Sequence, residues 1–118
     1  ERIRAGQSLK IFGDGGQTRD FIFVRDVARA NIAALRAHAC GACNVATGDS
    51  ISLLKLIDVL GALTGAQPET KFLPPRTGDI QHSVADTSRM RNLLGITRQT
   101  QIDEGLAALL RDGSSSRR

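Results

Sequence analysis

Residues 9–28 read Leu9-Lys-Ile-Phe-Gly-Asp-Gly-Gly-Gln-Thr-Arg-Asp-Phe-Ile-Phe-Val-Arg-Asp-Val-Ala28. Leu9 to Phe12 alternates in polarity and is bounded by glycine, which predicts a short strand. Gly13-Asp-Gly-Gly16 predicts a connecting turn, because glycine adopts turn conformations at little steric cost. Asp20 to Val24 is apolar on both faces and predicts a second strand, buried on both sides. From Asp26 the period becomes helical: Val24, Val27, Ala28, Asn31, Ile32 and Leu35 recur three or four apart, with Asp26 where an acid favours a helix start. Two other readings of this stretch fail. The glycines are not followed by Lys-Ser/Thr, lack the third glycine of a dinucleotide fingerprint, and lead into a strand rather than a helix. Arg19 to Val24 approaches an RNA-recognition strand, but Asp20 and Ile22 stand where that pattern needs small residues. Phe21 and Phe23 therefore read as core.

Upstream, Glu1-Arg-Ile-Arg-Ala-Gly6 reads as the last turn of a helix, with Gly6 as a left-handed cap. One closing turn cannot nucleate alone, so the chain is expected to continue a longer polypeptide. Downstream, Cys43 to Thr47 predicts another short strand. Ser50 or Ser52 can cap a helix with the stripe Leu53, Leu56, Ile57, Leu60 and Leu63, stopped by Gly65. Glu69 to Leu73 predicts a strand ended by Pro74-Pro75. Asp86 caps a short helix containing Met90, Leu93 and Leu94 and ended by Gly95, and Asp103 opens a last helix with Ile102, Leu106, Leu109 and Leu110. The expected fold is a small mixed α/β unit of three or four short strands and about four helices. It occupies residues 1–112, with 113–118 as a disordered tail.

Composition bounds what such a unit can do. The chain has 118 residues, enough for one modest core, and a formal net charge of +4. Thirteen of its sixteen basic residues are arginine, but they are scattered rather than arrayed as a stripe, so nucleic acid is not the expected partner. No apolar run reaches membrane-spanning length, and the expected setting is the cytoplasm. There are four Phe, no Trp and no Tyr, so no mechanism in this chain can use a tyrosine.

Cys40-Gly-Ala-Cys43, with His38 beside it and His82 further on, has the spacing of a metal or redox pair. The pair leaves a helix rather than opening one, which does not favour a lowered thiol pKa. It reads instead as two buried or semi-buried free thiols of a reducing compartment, with no metal site. The loop Arg76-Thr-Gly-Asp79 carries a stronger signal. Two prolines fix its entry and Gly78 allows a tight bend, so Arg76 and Asp79 project from a rigid support. The planar fork of arginine suits a pair of phosphate oxygens. Arg19, just ahead of a buried segment, can join it. A surface Arg–Asp pair that merely holds the loop is the competing reading.

These segments in order, Leu9 to Ala28, Cys43-Asn-Val-Ala-Thr-Gly48, Pro75-Arg-Thr-Gly-Asp-Ile-Gln-His-Ser-Val-Ala-Asp86 and Leu94-Gly95, resemble the C-terminal part of NAD-dependent nucleotide-sugar epimerase/dehydratases, which are extended short-chain dehydrogenases. The resemblance runs from about residue 1 to residue 111. It implies a substrate-binding subdomain whose partner is an N-terminal Rossmann half bearing the NAD-binding glycines and a catalytic Tyr-x-x-x-Lys. None of those motifs is in this chain, so no catalytic or NAD-binding residue is assigned to it. By the same resemblance Arg19 and Arg76 grip the diphosphate of a UDP-sugar. Asp79 meets the ribose hydroxyls or orients Arg76. The backbone of Lys10 to Phe12 meets the uracil, and Phe12 lines its pocket. Gly78-Asp-Ile-Gln-His-Ser83 resembles UDP-glucose and UDP-N-acetylglucosamine 4-epimerases more than 4,6-dehydratases, with Ser83 bounding the sugar. The implied activity is NAD-dependent oxidation and reduction at the sugar C4 by the complete enzyme, with this chain inactive alone. Apolar surface left uncovered would favour self-association. The alternative is a stand-alone non-catalytic module that binds a protein or nucleic acid through its arginines.

Overall fold

A computed structural model describes residues 2–3, 5–38 and 40–115, with side chains as far as residue 112. In chain order the elements are β1 (Leu9–Phe12), β2 (Thr18–Arg19), α1 (Val24–Arg36), β3 (Ile51–Ser52), α2 (Leu53–Thr64), β4 (Thr70–Leu73), α3 (Ser88–Leu94) and α4 (Ile102–Ser115). Four short strands and four helices match the mixed α/β expectation. The described residues fall into two compact units. One runs up to Arg19 and resumes over Ile51–Ser83; the other comprises Asp20–Ser50 and the residues from Val84 onward. No helix among the described residues is long and apolar enough to cross a membrane.

In the first unit, β1 and β4 pair in parallel, Leu9 opposite Thr70 and Phe12 opposite Leu73, while β2 pairs antiparallel with β3. Alternation along β1 buries Ile11 at 1% exposure and sends Lys10 and Phe12 to the other face. The turn after β1 needs its glycine at position 15. Gly15 has φ +78°, and a Cβ there would lie 2.8 Å from the Leu54 side chain and 3.4 Å from Ile11. Asp14 closes the same turn by accepting the Gly16 N–H at 2.8 Å. Ser52, rather than Ser50, caps α2 by accepting the Lys55 N–H at 3.1 Å, and Gly65 ends that helix at φ +68°. At the start of the chain, the Gln7 N–H reaches the Arg2 carbonyl at 2.9 Å and the Gly6 N–H reaches Ile3 at 3.1 Å, with Gly6 at φ +63°. This is the hydrogen bonding of a helix C-terminus, as the sequence implies.

The second unit has a small core of Ala30, Ala46 and Met90, with α3 lying against α1. Asp26, 4% exposed, sits in the first turn of α1. It accepts the Thr100 N–H at 2.7 Å and the Thr100 hydroxyl at 3.1 Å, and it pairs with Arg29. Its carboxylate thus anchors the segment before α4 as well as suiting the helix dipole. Gly105 lets α4 approach Phe23, whose ring a Cβ there would meet at 3.4 Å.

Several expectations need correction. Asp20 to Val24 is not a strand: Phe23 is the N-cap of α1, and its carbonyl accepts the Asp26 and Val27 N–H groups. Cys43 to Thr47 is not a strand either. The second departure has a visible cause. The Asp20 carboxylate accepts from the Thr47 N–H (3.0 Å), the Thr47 hydroxyl (2.5 Å), the Gly48 N–H (2.9 Å) and the Ala85 N–H (3.4 Å), so these backbone donors answer to a side chain instead of a ladder. The expected apolar stripe of α1 is largely exposed, Val24 by 64%, Ile32 by 50% and Leu35 by 88%; the buried face centres on Asp26 and Ala30. Cys40 is exposed and Cys43 half-buried, both as free thiols. Helix α4 continues to Ser115, into the stretch expected as a tail; 116–118 lie outside the described residues.

Candidate functional site

Every residue assigned to nucleotide-sugar binding, Lys10, Phe12, Arg19, Arg76, Asp79 and Ser83, belongs to the first unit. The loop 76–83 is fastened to β2. The Thr18 N–H donates to the Gln81 carbonyl at 2.9 Å and the Ser83 N–H donates to the Thr18 carbonyl at 3.2 Å, with Thr18 and His82 forming a parallel bridge. The side chains reinforce it, the Thr18 hydroxyl lying 3.1 Å from His82 Nδ1. Within the loop, the Asp79 N–H closes on the Arg76 carbonyl at 3.2 Å around Gly78, whose φ is +82°.

This fastening brings Arg19 and Asp79 together across sixty positions of sequence. One guanidinium nitrogen of Arg19 donates to its neighbour's carbonyl, Thr18, at 2.8 Å, and another donates to Asp79 Oδ1 at 3.0 Å. The two side chains are 33% and 42% exposed, so the pair contributes on the order of 0.2–1 kcal/mol, and its main effect is orientation. Asp79 therefore orients Arg19 and not Arg76. The reason is reach: the bend at Gly78 turns Asp79 toward β2, while the prolines send Arg76 toward the end of β1. There the Arg76 guanidinium carbon stands 3.7 Å from the centroid of the Phe12 ring. Arg76 has no carboxylate partner among the described residues.

The two arginines thus differ in kind. Arg19 is already neutralised and shared with a backbone carbonyl; Arg76 is an exposed cation lying on an aromatic face, with no hydrogen-bond partner for its N–H fork among the described residues. Lys10 is exposed on β1, and Ser83 is exposed, its backbone used in the fastening. Past the end of β1 an open groove of about 630 Å³ is lined by Gly13, Asp14, Phe72, Leu73, Pro75 and Gln81. A second groove of about 600 Å³, lined by Leu54, Ile57, Gly61 and Pro68, has Asp58 as its charged residue and does not suit an anion.

Sequence reasoning missed Thr18, His82 and Gln17. His82 serves the loop fastening, and no cluster of three His, Cys, Asp or Glu able to hold a metal occurs among the described residues. Gln17 donates its side-chain N–H to the Phe12 carbonyl at 2.9 Å, holding the end of β1. Only the run Gln17-Thr-Arg19 between a glycine turn and Asp20 could have drawn attention to it.

Comparison with known proteins bears on the fold and family. The profile of the NAD dependent epimerase/dehydratase family matches residues 1–48. A UDP-glucose 4-epimerase of Mycolicibacterium smegmatis is 41% identical over 108 residues, covering 91% of this chain and 34% of its relative. The chain is similar to enzymes of the NAD-dependent epimerase/dehydratase family. Its likeness to solved structures extends over nearly all of this chain. The UDP-glucose 4-epimerase of Thermotoga maritima, solved with UDP-glucose, superposes with a TM-score of 0.90 at 31% identity, over 98% of this chain and 37% of that one. A UDP-N-acetylglucosamine 4-epimerase from Methanobrevibacter ruminantium, solved in complex with UDP-N-acetylmuramic acid, gives 0.89 at 33% identity, over 96% and 36%. The chain spans about a third of the length of the family members it matches.

Proposed function

We propose that the first unit carries the nucleotide-diphosphate-binding side of a UDP-sugar 4-epimerase. The observation that carries this reading is the unneutralised Arg76 guanidinium, supported on Phe12 at the end of a fastened loop. A guanidinium with a free fork matches two oxygens of a diphosphate bidentately. Arg19, turned and neutralised by Asp79, adds N–H donors rather than net charge, and Asp79 Oδ2, which accepts no hydrogen bond among the described residues, is available to a ribose hydroxyl. The backbone from Lys10 to Phe12 meets the uracil. Ser83 bounds the sugar, and its small side chain leaves room for an N-acetyl group.

In the whole polypeptide the activity is inversion at the sugar C4 with NAD. The residues of this chain do not fit that cofactor. In the glycine turn the Gly16 N–H, a donor that a phosphate would need, is taken by Asp14; Leu54 lies over Gly15; and β2, not a helix, follows. The contribution of the chain is binding energy: by holding the nucleotide remotely it anchors the substrate while the sugar presents either face. The chain alone has no turnover. The exposed apolar residues of α1 are covered by the NAD-binding part of the polypeptide, in the cytoplasm, or by self-association where that part is lacking. A stand-alone nucleic-acid module is not favoured, since the loop arginines are few and one of them is neutralised.

The test is conversion of UDP-glucose or UDP-N-acetylglucosamine to its C4 epimer by the full-length polypeptide. Losing a charge-assisted hydrogen bond costs about 1.5–3 kcal/mol, so Arg76→Ala should raise KM roughly tenfold or more. An unchanged KM would refute the assignment.

A further inference from the structure

We propose that Phe12 is the positioning residue of the diphosphate clamp: its ring face holds the Arg76 guanidinium in the orientation that binds the anion. This rests on the clamp reading above and assigns the aromatic ring a role toward phosphate rather than toward the base.

The parallel register sets Phe12 opposite Leu73, and the Gly13 N–H bonds the Leu73 carbonyl at 2.9 Å, so the ends of β1 and β4 are locked level. Gln17 pins the Phe12 carbonyl from the other side. Pro74 and Pro75 then fix φ in the following two residues, which leaves the chain little choice of direction. Arg76 returns over the ring, 3.7 Å from its centroid. At that distance the positive group lies on the negative face of the aromatic quadrupole.

Three consequences follow for anion binding. The ring covers the guanidinium carbon without using its N–H donors in a conventional hydrogen bond, and no hydrogen-bond partner for the Arg76 side chain occurs among the described residues. Much of the side-chain freedom that an exposed arginine would surrender on binding is surrendered beforehand. The ring carries no formal charge, so it orients the cation without neutralising it, which is what Asp79 does to Arg19. An acidic residue in place of Phe12 would orient Arg76 equally well and abolish its attraction for phosphate.

The test uses the full-length polypeptide, with inorganic pyrophosphate, uridine and UDP as separate probes in calorimetric titrations. A cation–π contact at an exposed site corresponds to an affinity change of about two- to fivefold. Phe12→Leu should weaken pyrophosphate and UDP by that factor and leave uridine unchanged, while Phe12→Tyr should restore both. Phe12→Met, of similar volume and unbranched, serves the same purpose if the leucine variant folds poorly. Phe12→Leu combined with Arg76→Ala should bind pyrophosphate no more weakly than Arg76→Ala alone. If Arg76→Ala weakens pyrophosphate but Phe12→Leu weakens only uridine, or if the two substitutions are additive, this inference is wrong and the clamp stands. If Arg76→Ala leaves pyrophosphate unchanged, both fall.

Discussion

Asp20→Asn should destabilise the chain at neutral pH by about 2 kcal/mol, and the deficit should vanish in acid. The carboxylate takes four hydrogen bonds, with Oδ1 receiving the Thr47 N–H and hydroxyl and Oδ2 receiving the Gly48 and Ala85 N–H groups. Asparagine keeps one acceptor oxygen and presents an NH₂ group to the donors on the other side. Bonds to a charged group contribute about 1.5–3 kcal/mol each when shielded. Asp20 is only partly buried, and water replaces much of what is lost, which brings the net effect to about 2 kcal/mol. For a domain of this size that is a fall in Tm of about 5–10 °C. Partial burial pushes the Asp20 carboxyl up, but the Thr47 hydroxyl and the three backbone N–H groups outweigh it and hold the group below its ordinary range. A depressed carboxylate contributes stability that is fully present above the unfolded value of about 3.9 and is lost as pH falls through the folded one. Thermal unfolding followed by circular dichroism should therefore show a gap between wild type and variant that is constant from pH 7 to about pH 5 and closes below about pH 4. Asp86, lowered by the Ser88 N–H and hydroxyl, titrates in the same sense, so the comparison with the variant, not the acid sensitivity itself, isolates Asp20. Equal Tm values at pH 7, or a gap unchanged at pH 3, would refute this account of how the 43–48 segment is held.

Other substitutions test the fold and the loop separately. Gly15→Ala combines a left-handed φ with overlap against Leu54 and Ile11, and should cost about 2–4 kcal/mol in denaturant unfolding. Ser52→Ala removes the cap of α2 and should cost about 1 kcal/mol by the same measurement. Thr18→Val keeps the backbone fastening but removes the bond to His82; it should shift Tm by less than about 3 °C while weakening UDP binding a few-fold in titration, with an unaltered affinity showing that the loop is held by backbone alone.

The sequence discloses those parts of the molecule that local chemistry controls. Glycine and proline punctuation bounded β1, the turn at Gly15 and the end of β4, and a stripe with serine before it and glycine after it marked α2. Misreading set in where long-range hydrogen bonds override pattern. An apolar run such as Phe21-Ile-Phe23 has the composition of a strand, and only the structure shows that Phe23 opens a helix while the Asp20 carboxylate takes the distant Thr47, Gly48 and Ala85 donors. The periodicity of α1 was real, but periodicity does not say which face meets the core; in this chain Ala30 faces inward and Leu35 outward. At the site, the residues assigned through the family resemblance do fall within one unit. Their pairing was not legible, because whether Asp79 meets Arg19 or Arg76 depends on how the 76–83 loop lies against β2, and His82 and Thr18, which decide it, carry no motif.

The central claim is that Arg76 supplies the free cation for a nucleotide diphosphate. The most direct measurement is the Kd for UDP against that for uridine, in wild type and in Arg76→Ala, by calorimetry on the full-length polypeptide. The account predicts that UDP binding weakens roughly tenfold or more while uridine binding is unchanged. Equal UDP affinity in the two proteins, or an equal loss for UDP and uridine, would contradict it.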